Sequence, residues 1–307
     1  MSTGRRAPRP GDRSDAPRQR QRPRPEQERR RRSPPRERKP RSDLWSRILI
    51  AVPAAVLAVA LIDVGGTAWT VFMMLLGCAC LQELYTMLDR WKPVPIVGFA
   101  SLIAMCLAAR YGSLRVVFEV LMGTVPVLFV AVIARGNLAD ATVSIAGTLL
   151  GVLWIGLAFS HAVLLRQLGD GKGILIDVAV GTFLGDTGAY LGGRLFGRRP
   201  LAPEISPNKT VEGLFCGMLV TILAVYVAAS YQSSYLTGGD AFALGIAIAV
   251  LGPLGDLFES LVKRDAGAKD AGSLFGAHGG ALDRLDGAIF TVVAGYYVWV
   301  TIHPALH

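Results

Sequence analysis

The chain has 307 residues, of which 52% are hydrophobic and 18% charged, and its formal net charge is +9. Several apolar runs reach the ~20 residues that an α-helix needs to cross about 30 Å of hydrocarbon. This composition excludes a soluble enzyme and predicts an all-α, polytopic integral membrane protein. Residues 1–43 hold 16 of the 32 Lys and Arg and 6 of the 23 Asp and Glu, a local net charge of +10, which leaves −1 for the rest.

Residues 1–43 also contain 8 of the 17 prolines and almost no apolar side chains. Such a segment cannot bury enough surface to repay its ordering entropy, so we predict a disordered basic cytoplasmic tail. It lacks the apolar stretch of a secretory signal. An arm on anionic lipid is one interpretation. A topology anchor without a specific partner is favoured, no nucleic-acid partner is expected, and truncation should spare catalysis.

After the tail we predict about nine transmembrane spans, grouped as N-terminal helices in residues 44–170 and a catalytic region in residues 171–307. The spans are 44–63, 67–88, 94–110, 114–134, 141–165, 173–196, 211–231, 240–262 and 282–304. With this count, the N-terminus and the loops after spans two, four, six and eight share one side. Because these loops are rich in Lys and Arg, the positive-inside rule makes that side cytoplasmic. Compact size and Arg/Ala/Gly-rich usage favour a bacterial inner (plasma) membrane.

Span two carries Glu83 about one turn inside its end. An acid at that depth faces the helix bundle or water rather than lipid. The sequence leaves two interpretations open, a polar cavity to which Glu83 contributes and a structural acid paired with a neighbouring helix.

Span six contains four glycines at helical spacing, which predicts close contact with another helix. They are Gly181, Gly185, Gly188 and Gly192. Asp186, Tyr190 and Arg194 follow one another at intervals of four residues and form one polar stripe. An acid within a membrane span indicates function by default, and we favour that interpretation over an inert Asp–Arg pair.

The loop after span six reads RRPLAPEISPNKTVEG. Its Ser206, Asn208, Lys209 and Thr210 precede a predicted helix, an arrangement typical of a phosphate cradle built from amides, hydroxyls and a cation. The Gly-x4-Gly-Lys-Ser/Thr pattern of a P-loop is absent from the sequence. A basic cytoplasmic loop that obeys the positive-inside rule is the ordinary alternative.

Four carboxylates stand at the adjacent ends of spans eight and nine: Asp256, Glu259, Asp283 and Asp286. Their hard oxygen atoms suit Mg²⁺, and without a cation they would repel one another. Neutralisation by the cations of the intervening insert is the alternative; these are Lys263, Arg264, Lys269 and Arg284. We favour a metal, because salt bridges alone require neither the Gly-rich turn nor a second cationic loop.

The insert from Ser260 to Asp286 reads SLVKRDAGAKDAGSLFGAHGGALDRLD. Its pattern, Ser-x2-Lys-Arg-x4-Lys-Asp-x-Gly and then His-Gly-Gly-x2-Asp-Arg-x-Asp, resembles the signature of phosphatidate cytidylyltransferases, the CDP-diacylglycerol synthases. The blocks GDTGAY at 185–190 and SPNKTVEG at 206–213 resemble two further family blocks, with Asn208 where the family usually has Lys. The resemblance is specific over roughly residues 177–290.

The resemblance implies a polytopic, homodimeric enzyme of the lipid bilayer that transfers CMP from CTP to phosphatidic acid and releases pyrophosphate. It implies a Mg²⁺ requirement, with Asp256 and Asp283 as first metal ligands and a monovalent cation such as K⁺ sharing the site. Asp186 and Asp286 are second choices, and Glu259 completes the candidate metal ligands.

We assign the remaining polar groups by the needs of phosphoryl transfer, which are to join two polyanions and to stabilise the leaving group. The catalytic assignments are Lys263, Arg264, Lys269, Asp270, His278 and Arg284. Arg284 is assigned to the lipid phosphate, and His278 either binds a phosphate or locks the turn. The substrate-binding assignments are Ser206, Asn208, Lys209, Thr210, Tyr190, Arg194, Ser260, Gly279 and Gly280. Direct displacement is expected, because no base is paired with Ser260.

Two alternatives stay open. A cytidylyltransferase for another lipid phosphate, such as a polyprenyl or ether lipid, would carry the same motifs. A polytopic membrane transporter would also use acids and glycine-broken helices at the membrane midplane. The charges of this chain cluster at one cytoplasmic edge, which argues against transport. The Asp-Gly-x2-Ala-Arg run of CDP-alcohol phosphotransferases is absent from the sequence.

Overall fold

The computed structural model describes residues 42–136, 138–232, 236–272 and 279–303, with only the backbone of residues 42–52 and 232. The predicted tail lies outside the described residues, except for Ser42 and Asp43, which begin the first helix. The predicted role of His278 also falls outside the described residues.

Besides a short 3-10 helix at Asp89–Trp91, the described residues form nine long helices, one for each predicted span, with bounds that differ by a few residues. They are α1 (Ser42–Val64), α2 (Gly66–Met87), α3 (Pro95–Tyr111), α4 (Leu114–Ala134), α5 (Ala141–Gln167), α6 (Gly171–Phe196), α7 (Val211–Gln232), α8 (Gly238–Ala266) and α9 (Leu282–Ile302). The helix α5 contains a π-helical turn at Val152–Gly156. An all-α membrane protein is therefore confirmed.

Seven of the described helices, α2 and α4 to α9, are long and apolar enough to cross a membrane. The apolar part of α1, Pro53–Val64, and the helix α3 are shorter. The expected number of nine spans is therefore not confirmed, since a helix of 17 residues such as α3 rises only about 25 Å at 1.5 Å per residue.

The glycines of α6 bring this helix close to α7, as the sequence predicts. A Cβ atom at Gly188 would lie 2.8 Å from Val220, and Cβ atoms at Gly185 and Gly192 would collide with Thr221 and Cys216. Small residues permit this approach, which lets backbones pack where larger side chains would separate them.

Glycines also join α8 to α9. A Cβ atom at Gly255 would lie 2.5 Å from the backbone oxygen of Asp286, and one at Gly287 would lie 3.3 Å from the oxygen of Gly252. The first turn of α9 therefore lies directly against α8, so that polar side chains of both helices can share one space.

The connection between α6 and α7 is an antiparallel hairpin of β1 (Pro200–Ala202) and β2 (Ser206–Thr210). Glu212 Oε2 accepts the backbone N–H groups of Arg198 at 3.0 Å and Arg199 at 3.1 Å. The Thr210 hydroxyl accepts the N–H of Gly213 at 3.1 Å and so caps the start of α7. These bonds fix the hairpin to α7.

Candidate active site

Three carboxylates meet where α8 and α9 touch. Asp256 and Glu259 lie one turn apart on α8, and Asp286 comes from the first turns of α9; one oxygen atom from each lies within 4.8 Å of the others. The spacing of three residues puts Asp256 and Glu259 on one face of α8. The contact at Gly255 then brings Asp286 to that face.

This group has the properties of a site for a divalent cation. Glu259 is fully buried, and its Oε1 has no hydrogen-bond partner among the described residues. A buried carboxylate oxygen without a partner is costly, and three neighbouring carboxylates repel one another unless a cation joins them. Their hard oxygen donors fit Mg²⁺, and the metal centre itself stays a prediction.

Asp283 is held differently from the other three acids. Lys263 Nζ donates to Asp283 Oδ1 and to Glu259 Oε2, both at 2.8 Å. Asp283 Oδ2 also accepts the backbone N–H groups of Ala271 and Gly280, both at 2.9 Å. Asp283 is not one of the three described carboxylates whose oxygen atoms lie within 4.8 Å of one another. The geometry joins Asp256 to Glu259 and Asp286 rather than to Asp283.

The hairpin contributes a cation to the same place. Lys209 of β2 forms an ion pair with Asp256, with 27% and 32% of their side chains exposed. Arg264 Nε donates to the backbone oxygen of Ile205 at 3.1 Å, which ties the hairpin to the end of α8. Lys209 of the predicted phosphate cradle thus lies beside Asp256, one of the three carboxylates.

The polar stripe of α6 borders this site. Asp186, Tyr190 and Arg194 are all exposed, and Asp186 interacts electrostatically with Asp256 and Lys209. A cavity between α6, α7 and α8 is lined by Asp186 together with Thr182 and Thr221. In the described part of the chain Asp186 forms no ion pair with Arg194, so the structure does not favour the alternative of an inert Asp–Arg pair.

The other predicted site residues in the described part of the chain differ in exposure. Exposed side chains belong to Asn208, Arg264, Lys269, Asp270 and Arg284, and partly buried ones to Ser206, Thr210 and Ser260. Gly279 adopts a φ of 85°, which favours glycine. A Cβ atom there would lie 3.0 Å from Asp283 Oδ2.

One acid that sequence reasoning left undecided also reaches this region. Glu83 of α2 is 8% exposed, and its Oε2 accepts the backbone N–H of Leu282, the first residue of α9, at 2.9 Å. The structure therefore favours a structural acid paired with a neighbouring helix. The signal in the sequence was an acid one turn inside an apolar span.

The chain is similar to known proteins over most of its length. Residues 45–302 match the profile of the Cytidylyltransferase family. The phosphatidate cytidylyltransferase of Staphylococcus epidermidis is 32% identical over 254 residues, which cover 80% of this chain and 95% of the relative. That of Bacillus subtilis is 30% identical over 268 residues, or 83% and 97%. That of Mycobacterium tuberculosis is 32% identical over 217 residues, or 68% and 60%. The chain therefore belongs to the cytidylyltransferase family of nucleotidyl-transferring enzymes.

Proposed function

We propose that the protein is a phosphatidate cytidylyltransferase, which converts CTP and phosphatidic acid into CDP-diacylglycerol and pyrophosphate in phospholipid biosynthesis. The observation that carries this proposal is the convergence of Asp256, Glu259 and Asp286 with Lys209 at the ends of apolar helices. A nucleotide and a lipid headgroup that are both anionic repel each other. A site at which carboxylates bind a cation and lysines contact phosphates would offset this repulsion.

We propose Mg²⁺ as the divalent cation, with Asp256, Glu259 and Asp286 as its protein ligands and a monovalent cation such as K⁺ beside it. When bound, Mg²⁺ supplies positive charge to the phosphates and orients them. Asp283 is proposed to act through Lys263, because the two side chains are bonded to each other and Lys263 is bonded to Glu259.

The proposed chemistry is a direct displacement. A phosphate oxygen of phosphatidic acid, already anionic at neutral pH, attacks the α-phosphorus of CTP and forms the new P–O bond. The bond from the α-phosphorus to the bridging oxygen breaks, and its electron pair leaves with pyrophosphate. Lys209, Lys263 and the exposed cations Arg264 and Lys269 stabilise the phosphate charge, and Arg284 binds the lipid phosphate.

We assign the site to the cytoplasmic face of the bacterial plasma membrane. The connections after α2, α4, α6 and α8 carry the basic residues Arg90, Arg135, Lys209 and Lys269, and the positive-inside rule assigns such connections to the cytoplasm. The connections after α4, α6 and α8 share one side whether or not α1 and α3 cross the membrane, whereas the connection after α2 lies on that side only if α3 crosses. The resemblance further supports a homodimer, which the mass of the purified protein in detergent would test.

Label transfer tests the proposed function. Purified protein in phospholipid micelles is given CTP labelled at the α-phosphate, and the label that becomes soluble in chloroform is measured. The acceptor lipids compared are phosphatidic acid, a polyprenyl phosphate and an ether-linked phosphatidate, and one sample contains no added acceptor lipid. We expect label in lipid with phosphatidic acid, and none when the label is at the γ-phosphate. Label that appears only with the polyprenyl phosphate, or with no lipid at all, would contradict the proposal.

A further inference from the structure

The helix α9 begins without a cap of its own. In the described chain its N-cap residue, Ala281, offers no side-chain acceptor, and the first residue of the helix, Leu282, is fully buried. The first N–H groups of a helix have no partner inside the helix, and buried ones must find an acceptor elsewhere. The first turns of α9 also carry Asp283 and Asp286, so whatever fixes this helix start fixes both carboxylates.

Glu83 supplies the missing acceptor from the other half of the chain. Its Oε2 accepts the N–H of Leu282 at 2.9 Å, although the two residues are separated by 199 positions. A carboxylate at a helix N-terminus also interacts favourably with the helix dipole. Glu83 therefore caps α9 from α2, a helix that contributes no member to the group of three carboxylates.

Two glycines within the α8–α9 connection make room for this side chain. A Cβ atom at Gly272 would lie 2.5 Å from the carboxyl carbon of Glu83, and one at Gly280 would lie 2.6 Å from the same atom. Both glycines have ordinary φ angles, because neither is among the described glycines with positive φ. The close approach of Glu83, rather than a backbone requirement, therefore accounts for the lack of a side chain at both positions.

The contacts of Asp283 complete the arrangement. Asp283 accepts the N–H groups of Ala271 and Gly280. Ala271 precedes Gly272, and Gly280 is itself one of the two glycines that Glu83 contacts. Glu83 and Asp283 thus contact the same two parts of the connection, at Ala271–Gly272 and at Gly280. Loss of Glu83 would leave the buried N–H of Leu282 unpaired and remove the support of the turn that orients Asp283 and Asp286.

We propose that Glu83 is a positioning residue, which holds the start of α9 so that Asp286 meets Asp256 and Glu259, and Asp283 meets Lys263. The expected effect of Glu83 on catalysis rests on the proposed function. Its expected effect on the start of α9 rests on the described contacts alone. Glu83 touches the backbone of α9 and the two glycines, and it acts on the reaction through the carboxylates of α9.

Hydrogen–deuterium exchange tests the structural consequence without any substrate. The purified protein in detergent is compared with Glu83→Ala, Glu83→Gln and the matched control Glu119→Ala, an exposed acid of α4 paired with Arg115. We expect Glu83→Ala to speed exchange in residues 279–286 by about tenfold or more, the factor for a lost hydrogen bond to a charged group. Glu83→Gln keeps a carbonyl acceptor and should change exchange less, and the control should change nothing there.

The catalytic consequence has its own readout. In the label-transfer assay we expect Glu83→Ala to lower kcat and to raise the Mg²⁺ concentration needed for half-maximal activity, with partial rescue in Glu83→Gln. A purely structural role would lower the melting temperature and leave the Mg²⁺ requirement of the folded fraction unchanged. That second pattern would overturn the proposal.

A double-mutant cycle with Gly272→Ala makes the test specific to this contact. The added Cβ should displace the Glu83 carboxylate, so Gly272→Ala alone should reproduce the faster exchange, and it should add little in the Glu83→Ala background. If Glu83→Ala does not fold, Gly272→Ala and Glu83→Gln carry the comparison. Unchanged exchange in residues 279–286 in these variants refutes the inference. Absence of label transfer by the unaltered protein refutes the proposed function instead and leaves the exchange result valid.

Discussion

Lys209 of the β-hairpin forms an ion pair with Asp256 of α8. The hairpin lies between α6 and α7, and its other tie to α8 is the bond from Arg264 to Ile205. Through this pair, a cation of the hairpin reaches a carboxylate of the proposed metal site. A nucleotide phosphate drawn to the metal would therefore lie within reach of Lys209.

Removal of Lys209 should weaken CTP binding. We expect Lys209→Met to raise the KM for CTP by about tenfold or more, because a charge-assisted contact to phosphate is lost. Label transfer at a series of CTP concentrations measures this. The control Lys172→Met removes a lysine at the opposite end of α6, where it is paired with Asp63, and should leave KM unchanged. An unchanged KM in Lys209→Met would remove this lysine from the phosphate site.

Asp286 is the most direct test of the proposed metal ligands. Asp286→Asn should lower kcat by about 100-fold or more, the range for loss of one preorganised electrostatic contribution at a reacting centre. The variant should also need more Mg²⁺, since one of three ligand carboxylates is neutral. Label transfer across a Mg²⁺ titration measures both effects.

A matched control for Asp286→Asn is Asp140→Asn, because Asp140 is a partly exposed acid paired with Lys92 away from the site. It should retain the kcat and the Mg²⁺ requirement of the unaltered protein. Equal activity of the two variants would exclude Asp286 from the metal site.

Asp283→Asn should lose stability as well as activity. The side chains of Asp283 and Lys263 are 13% and 15% exposed and form an ion pair. Removing one partner of a buried pair leaves the other charge uncompensated and costs about 3 kcal/mol. Thermal unfolding in detergent should show a lower midpoint for Asp283→Asn and for Lys263→Met.

The double variant distinguishes pairing from separate roles. If Lys263 and Asp283 stabilise the fold through each other, the loss in the double variant should be smaller than the sum of the two single losses. A fully folded Asp283→Asn of unchanged midpoint, inactive only in turnover, would instead favour Asp283 as a direct metal ligand, which is what the family resemblance implies.

Metal removal should abolish the reaction reversibly. We expect EDTA to stop label transfer and excess Mg²⁺ to restore it, because the carboxylate group needs a cation to bind phosphates. Far-UV circular dichroism should stay constant during the cycle, since the described helices are held by apolar packing. Full activity in the presence of a large excess of EDTA would contradict the metal proposal. Dependence of the restored rate on K⁺ tests the second cation.

The sequence by itself determined the membrane helices and the neighbourhood of the site. Apolar runs of sufficient length form helices wherever backbone groups must bond to one another away from water, so each predicted span coincides with a described helix. The sequence predicts functional roles for the acids of α8 and α9 and for the block around Lys209, because charged groups are costly in an apolar chain. The resemblance carried by these blocks led to the family.

Only the tertiary structure decided which of these groups meet. Asp283 and Asp286 are three residues apart, and spacing alone predicts that they face one cavity. The structure gives them different partners, because Lys263 and the amides of Ala271 and Gly280 bind Asp283 while the contact at Gly255 brings Asp286 to Asp256 and Glu259. Likewise Glu83 finds Leu282 only in the folded chain. Helical spacing defines a face, but the partner of that face depends on how closely distant helices approach, and small residues far apart in the chain determine that distance.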